Sequence, residues 1–149
     1  MAMCAHSPDE RWERIASFLA HQRTCVISIA ISSGVWSMPV WYRLDSGSSR
    51  NHNLEVDCLV PHWADIAHQL TRSSRVVLII QASPGAGLRW LQIQGEARPV
   101  EAPNWSGLLP HWISSVHPDG LYLVVRVTPS RIDLIDEDLG WGVQETLEW

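Results

Sequence analysis

The sequence predicts a mainly β (α+β) chain, an antiparallel barrel or half-open sheet with short helices at its edges. Three observations predict it. Apolar residues alternate with period two in at least five separate runs. The connections between consecutive runs are mostly short, which suits antiparallel neighbours rather than parallel crossovers. Helical spacing is confined to three brief stretches, one before the strands and two between them.

The first element is a helix over about Pro8 to Gln22. Ser7 is placed as N-cap, with Pro8 at N1 and Glu10 at N3. Trp12, Ile15, Ala16 and Leu19 follow at helical spacing. A hairpin comes next, Thr24 to Ser32 and Val35 to Asp45, folded about Ser32-Ser33-Gly34. Cys25, Ile27, Ile29 and Ile31 share one face of its first strand. Val26, Ser28 and Ala30 make the other face small enough for close approach. In the second strand Met38, Val40, Tyr42 and Leu44 point inward, and Pro39 interrupts the run.

A polar loop, Ser46 to His52, leads to a third strand, Leu54 to Val60. Its apolar Leu54, Val56, Cys58 and Val60 alternate with Glu55 and Asp57. A helix is expected from Pro61 to about Leu70 or Thr71. Strands follow at Arg75–Ala82 and Leu88–Val100, about a turn at Ser83 to Gly87. A short helix is expected over Trp105 to Val116. Two last strands, Leu121–Val127 and Arg131–Ile135, are separated by Thr128-Pro129. Residues 1–6 and about 140–149 read as tails of one domain spanning 1–149.

Composition narrows the function classes. With 46% hydrophobic and 18% charged residues the chain is globular rather than disordered. The formal net charge of -5 argues against nucleic acid as a partner. All 11 basic residues are arginines, so lysine chemistry is excluded and a side-chain cation must be arginine or protonated histidine. Cys4, Cys25 and Cys58 form no paired motif and read as free thiols in a reducing, cytoplasmic setting. No leader pattern and no apolar run near 18 residues is seen, so no membrane span is expected.

Motifs for chemistry are few. Leu59-Val60-Pro61-His62-Trp63 is echoed by Leu108-Leu109-Pro110-His111-Trp112, with His68 and His117 six residues after the first histidines. Six residues put two rings roughly 120° apart on a helix, so one helix cannot chelate with both. The echo reads as two helix starts with proline at N1 and a tryptophan lid, though a histidine remains open as an axial haem ligand. Gly85-x-Gly87 lacks the third glycine of a dinucleotide loop, and no nucleophile motif occurs. Asp133-Asp136-Glu137-Asp138 reads as a solvated edge. Of nine tryptophans, Trp41, Trp63, Trp90 and Trp141 are the candidates for stacking on a flat cofactor, with packing as the competing role.

Taken in order, several segments resemble the pyridoxamine-phosphate-oxidase-like, FMN-binding split-barrel superfamily. They are the leading helix, Cys25-Val26-Ile27-Ser28-Ile29-Ala30, Gly34, Met38-Pro39-Val40-Trp41-Tyr42, Leu54–Val60, Leu70 to Val76, and Leu91-Gln92-Ile93-Gln94-Gly95-Glu96-Ala97. The resemblance spans roughly residues 10–135 and lies in order and spacing. It implies a six-stranded antiparallel Greek-key split β-barrel with flanking short helices, usually a homodimer. FMN would lie between subunits and support flavin-dependent oxidoreductase chemistry. Haem or a deazaflavin replaces it in relatives, and the alternative is a dimeric binding module that has lost the FMN phosphate site.

The implied cofactor-binding residues are Ser37, Met38, Pro39, Val40, Trp41, Val60, His62, Arg75 and Trp90. Many members place a lysine or arginine for the phosphate where Ala64-Asp65-Ile66 stands. Ser37 and Trp90 stand where the oxidase has arginine and glutamine, so that particular activity is not expected. Arg43, Arg72, Arg75, Arg89 or backbone amides at Pro61 are the available substitutes for the phosphate cation. No catalytic acid or base is assigned.

Overall fold

The computed structural model describes residues 7–44, 54–70, 74–82, 87–105, 120–140 and 144–149. Helix α1 spans Pro8–His21. The Ser7 hydroxyl accepts from the Glu10 amide at 3.2 Å, and Glu10 Oε2 accepts from the Ser7 amide at 2.9 Å. This reciprocal cap satisfies two amides that a helix start leaves unpaired. Trp12, Ile15, Phe18 and Leu19 form its buried face. Phe18 rather than Ala16 completes that face.

The strands are β1 (Thr24–Ile31), β2 (Gly34–Leu44), β3 (Val56–Pro61), β4 (Ser74–Gln81), β5 (Arg89–Pro99), β6 (Tyr122–Asp136) and β7 (Gln144–Glu148); α2 (Asp65–Leu70) lies between β3 and β4. Their order in the sheet is β3-β2-β1-β4-β5-β6-β7, and β3 also pairs with β6. That last pairing closes a six-stranded antiparallel barrel, with β7 as an added strand. β4 returns to lie beside β1, so the topology is the Greek key rather than a simple meander. No helix among the described residues is long and apolar enough to cross a membrane.

The β1–β2 hairpin has Ile31 opposite Gly34, leaving Ser32-Ser33 as the turn. Gly34 has φ 143°, which a side chain would resist. Inward positions of every barrel strand meet in one core: Ile27, Val56, Val60, Leu78, Ile80, Leu91, Ile93, Val125, Val127 and Ile132 are all 0% exposed. Ile15 and Leu19 of α1 join them. The Tyr42 hydroxyl donates to the Leu19 carbonyl at 2.6 Å, fastening β2 to the helix. Cys25 and Cys58 are buried free thiols, their sulfurs 4.0 Å apart. The Cys25 hydrogen bond and burial push the Cys58 thiol up, so it stays protonated and inert.

Several sequence expectations change. Pro61 ends β3, paired with Tyr122, and α2 begins only at Asp65. The helix start at Pro61 is therefore replaced by a strand end, and Trp63, 79% exposed, is no lid. Thr128-Pro129 does not divide two strands, because β6 runs unbroken through it. The register instead shifts opposite Gln94/Gly95, a bulge that skips Ser130 and absorbs the proline's missing N–H. The Ser130 hydroxyl donates to the Gln94 carbonyl at 3.1 Å. Residues 144–148, expected in a tail, form β7.

The acidic run is not a solvated edge either. Asp133 and Asp136 are each 6% exposed. Asp136 accepts from the Asp138 amide at 3.0 Å, capping a single 3-10 turn (Glu137–Leu139), and meets Arg89 at 3.3 Å. Asp133 accepts from Thr146 (2.6 Å), Gln144 (2.8 Å) and Arg131 (3.0 Å), which latches β7 onto β6. The polar loop 46–52, the expected 105–116 helix beyond Trp105, the turn at 83–86, the second Pro-His-Trp copy with His117, Cys4 and Trp141 lie outside the described residues.

A Cβ added to Gly95 would lie 2.5 Å from the Thr128 carbonyl oxygen and 3.0 Å from Pro129 Cα. Both are backbone contacts, so Gly95→Ala should lower stability by about 1–3 kcal/mol, read as a fall in the urea midpoint. Burial opposes the charge of Asp133, but the hydrogen bonds from Arg131, Thr146 and Gln144 win and hold its carboxyl below the usual value. A lowered folded value stabilises above the ordinary carboxylate range and is lost as pH falls through it. Amides of β7 should therefore lose hydrogen-exchange protection below about pH 4, ahead of those of β5, and Asp133→Asn should erase the difference. Parallel pH profiles for the two strands would refute this latch.

Candidate functional site

Outward-facing residues of four strands build a shallow groove at the Gly34 end of the barrel. The registers place Ser28 beside Ser37 and Val77, Val77 beside Gln94, and Ala30 beside Val35. The Ser28 and Ser37 hydroxyls hydrogen bond at 2.8 Å. The groove has a volume of about 330 Å³, and its lining includes Ser28, Ala30, Val35, Arg75, Val77, Gln94 and Gly95. Small side chains at Ser28, Ala30 and Gly95 make the depression. Arg75 is its one cationic lining residue and forms no ion pair among the described residues. Among the described residues no histidine, cysteine or carboxylate lines it, so these residues can hold and orient a ligand but offer no acid or base.

Beside the groove, β2 has one free edge. It pairs with β1 from Gly34 through Trp41, including Pro39 opposite Val26, but with β3 only from Trp41 to Leu44. Pro39 therefore does not end the ladder to β1, as its position in the sequence suggested. The backbone of residues 34–40 is instead open on the side away from β1, among the described residues. Met38 is half-buried against the core, and Val40 and Val60 turn fully inward. Only the backbone of Val40 and Val60, not their side chains, can meet a cofactor.

The β2–β3–β6 side is filled by the protein itself. Trp41 packs outside the barrel on Leu59 and Val124, together with Val100, Trp105 and Tyr122. Arg43 donates to the Asn104 carbonyl at 2.7 Å and ties this cover down. The outside of β3 is consequently as buried as its inside, and Asp57, 2% exposed, is neutralised there by Arg126 at 2.8 and 3.2 Å. A strict period-two reading makes Asp57 a surface residue; the cover on this face comes from Trp105 and Tyr122, which pack on the neighbouring Leu59 from 46 and 63 positions away.

The junction expected to hold a phosphate has a different character. Ala64 and Ile66 are buried and Asp65 is exposed. The His62 amide already donates to the Leu121 carbonyl (2.9 Å) and the Ala64 amide to Pro61 (3.1 Å). Those two amides are thus committed, and a carboxylate stands where a cation was needed. His62 is exposed beyond the end of β3. Trp90 is half-buried at the start of β5, opposite Gln81, and away from the groove. Of the sequence-derived candidates the structure brings together Arg75 and, through Ser28, Ser37. It adds Ala30, Val35, Val77 and Gln94. The signal for these was present as outward parity and small side chains, but parity cannot say which strands adjoin.

The architecture is that of the split barrel, the fold of the pyridoxamine 5'-phosphate oxidase-like, FMN-binding superfamily. No protein-family model matches the chain, and no curated protein matches it in sequence. Solved structures do. A haem binding protein from Mycobacterium smegmatis superposes with a TM-score of 0.67 at 16% identity over 98% of this chain and 60% of that one. A general stress protein 26-related protein of the pyridoxinephosphate oxidase family from Clostridium acetobutylicum gives 0.69 at 8% identity, covering 95% and 96%. An FAD binding protein from Mycobacterium smegmatis gives 0.56 at 13% identity, covering 97% and 98%. At these identities the shared property is the fold.

The packing role of Trp41 is directly testable. Trp41→Ala should lower stability by about 2–4 kcal/mol in urea unfolding, since it uncovers Leu59 and Val124. A loss below about 0.5 kcal/mol, the range of ordinary surface changes, would contradict the outer cluster.

Proposed function

We propose that the protein is a homodimeric split-barrel flavin binder that takes FMN in the groove on the outside of β1, β2, β4 and β5. The observation that carries this reading is Arg75, an exposed guanidinium with no ion pair among the described residues, beside a 330 Å³ groove with an apolar, small-residue floor. A flat ring needs such a floor, and a phosphate needs such a cation in a chain without lysine. Val35, 70% exposed, and the exposed Pro39 give the same face apolar surface that a second copy would cover. The free edge of β2 supplies backbone groups for the ring. Bound FMN would supply hydride or electron transfer; the chain's own residues bind, orient and exclude water.

This placement shifts the phosphate from the β3–α2 junction, which Asp65 makes unfavourable, to Arg75. The same mismatch favours a second reading, a dimeric module that holds haem or no cofactor. The FAD- and haem-binding structural neighbours support both cofactor classes as candidates.

Titration with FMN separates the readings. The expected result is saturable uptake with the visible bands of oxidised flavin, one per chain, in a protein whose light-scattering mass is that of a dimer. Arg75→Glu should weaken uptake about 10- to 100-fold. No uptake, with a Soret band on adding haemin, supports the second reading. A monomeric mass removes the intersubunit site in either version.

A further inference from the structure

A second cavity, of about 700 Å³, lies where α1 covers the open end of the barrel. One face of α1 forms its wall through Glu10, Glu13, Arg14, Ser17, Phe18 and His21. These positions follow the three- and four-residue spacing of one helix face. Opposite stand Ala82 after β4, Arg89 at the start of β5 and Leu134 of β6. Arg89 has the inward parity of Leu91 and Ile93, so it faces the barrel end, whereas Trp90 faces outside.

The polar groups here are only partly engaged. Arg89 gives its Nε to Asp136 at 3.3 Å and sits over the Phe18 ring, 5.8 Å from its centroid. Its two Nη nitrogens make no hydrogen bond among the described residues. His21 Nδ1 lies 2.6 Å from the Ser17 carbonyl, which can only accept, so Nδ1 carries a hydrogen and Nε2 is left over. The Arg14 charge is taken by Glu145 and Asp136. Glu10 is used in the helix cap, and Glu13 repels anions at that end of the wall. The cavity is therefore polarised: acidic near the start of α1, cationic at Arg89.

We infer that this cavity is a second small-molecule site, taking a planar aromatic anion whose ring rests on the Phe18–Ala82–Leu134 floor and whose carboxylate, sulfonate or phosphate is held by Arg89. An apolar floor with one available guanidinium selects such a ligand over a neutral one, because the charge-assisted bond is made only by the anion. The site lies within one chain and owes nothing to the Arg75 groove, so it stands or falls separately from the flavin reading.

The test uses 8-anilinonaphthalene-1-sulfonate and its uncharged counterpart N-phenyl-1-naphthylamine, titrated by fluorescence into the folded protein. Saturable binding of the sulfonate at this cavity is expected, read as the component that Ser17→Phe removes, with the neutral dye at least about tenfold weaker there. Arg89→Gln should weaken the sulfonate about tenfold or more, with circular dichroism showing that the fold is kept. Ser17→Phe, which fills the cavity from an exposed position, should block both dyes. Equal binding of the two dyes, or wild-type binding by Ser17→Phe and Arg89→Gln, would each overturn the inference.

Discussion

The fold depends on one strand being able to change partners. β6 is 15 residues long, and along one edge it pairs with β3 through Val127 and with β7 from Arg131. Its other edge stays with β5 throughout. The change falls at Thr128-Pro129-Ser130, where β6 carries an extra residue and Gly95 lies against its backbone. A bulge sharpens the local twist, and here it bends β6 so that its first half closes the barrel while its second half reaches past it. Gly95 permits the close approach, Pro129 has no ladder N–H to lose, and Ser130 re-satisfies a carbonyl. Barrel closure, the seat of β7 and the depth of the outer groove all follow from that one irregularity.

The second constraint is charge in a chain whose cations are all arginine. Among the described residues three carboxylates are buried, and each has a guanidinium nearby: Asp57 with Arg126, Asp133 with Arg131, and Asp136 with Arg89. Breaking such a pair is costly because it leaves a buried charge alone, so Arg126 and Arg131 are committed to structure. Arg75 is different, since no carboxylate among the described residues forms an ion pair with it. Arg89 is intermediate, with one nitrogen bound and two available. The division between spent and available guanidinium groups is what separates scaffold from candidate site.

The two depressions also differ in what shapes them. The outer groove forms because small residues on adjoining strands leave room, and exposed apolar neighbours would let a second copy close it. The α1 cavity forms because a helix cannot seal a round barrel end, and its walls belong to one chain. The β2–β3–β6 surface is occupied by Trp41, Trp105 and Tyr122.

What the sequence by itself determined was local. The capping residues of α1, the inward parity of β1, β2 and β3, the hairpin at Ser32-Ser33 and the burial of Cys25 and Cys58 all follow from spacing and turn chemistry within a few residues. The order and spacing of those elements carried the split-barrel resemblance. Only the tertiary structure decided which outward faces adjoin, and therefore that Arg75 shares a groove with Ser28 and Gln94 while Trp90 does not. It also decided that Asp57, Asp133 and Asp136 are buried: Asp57 and Asp136 meet Arg126 and Arg89 across strand pairs, 69 and 47 positions away, while Asp133, which shares β6 with Arg131, is bound by Gln144 and Thr146 of β7. Pro61 and Pro129 show the same limit. Each punctuates the chain locally, yet a cross-strand neighbour, Tyr122 for one and Gly95 for the other, holds it in a strand.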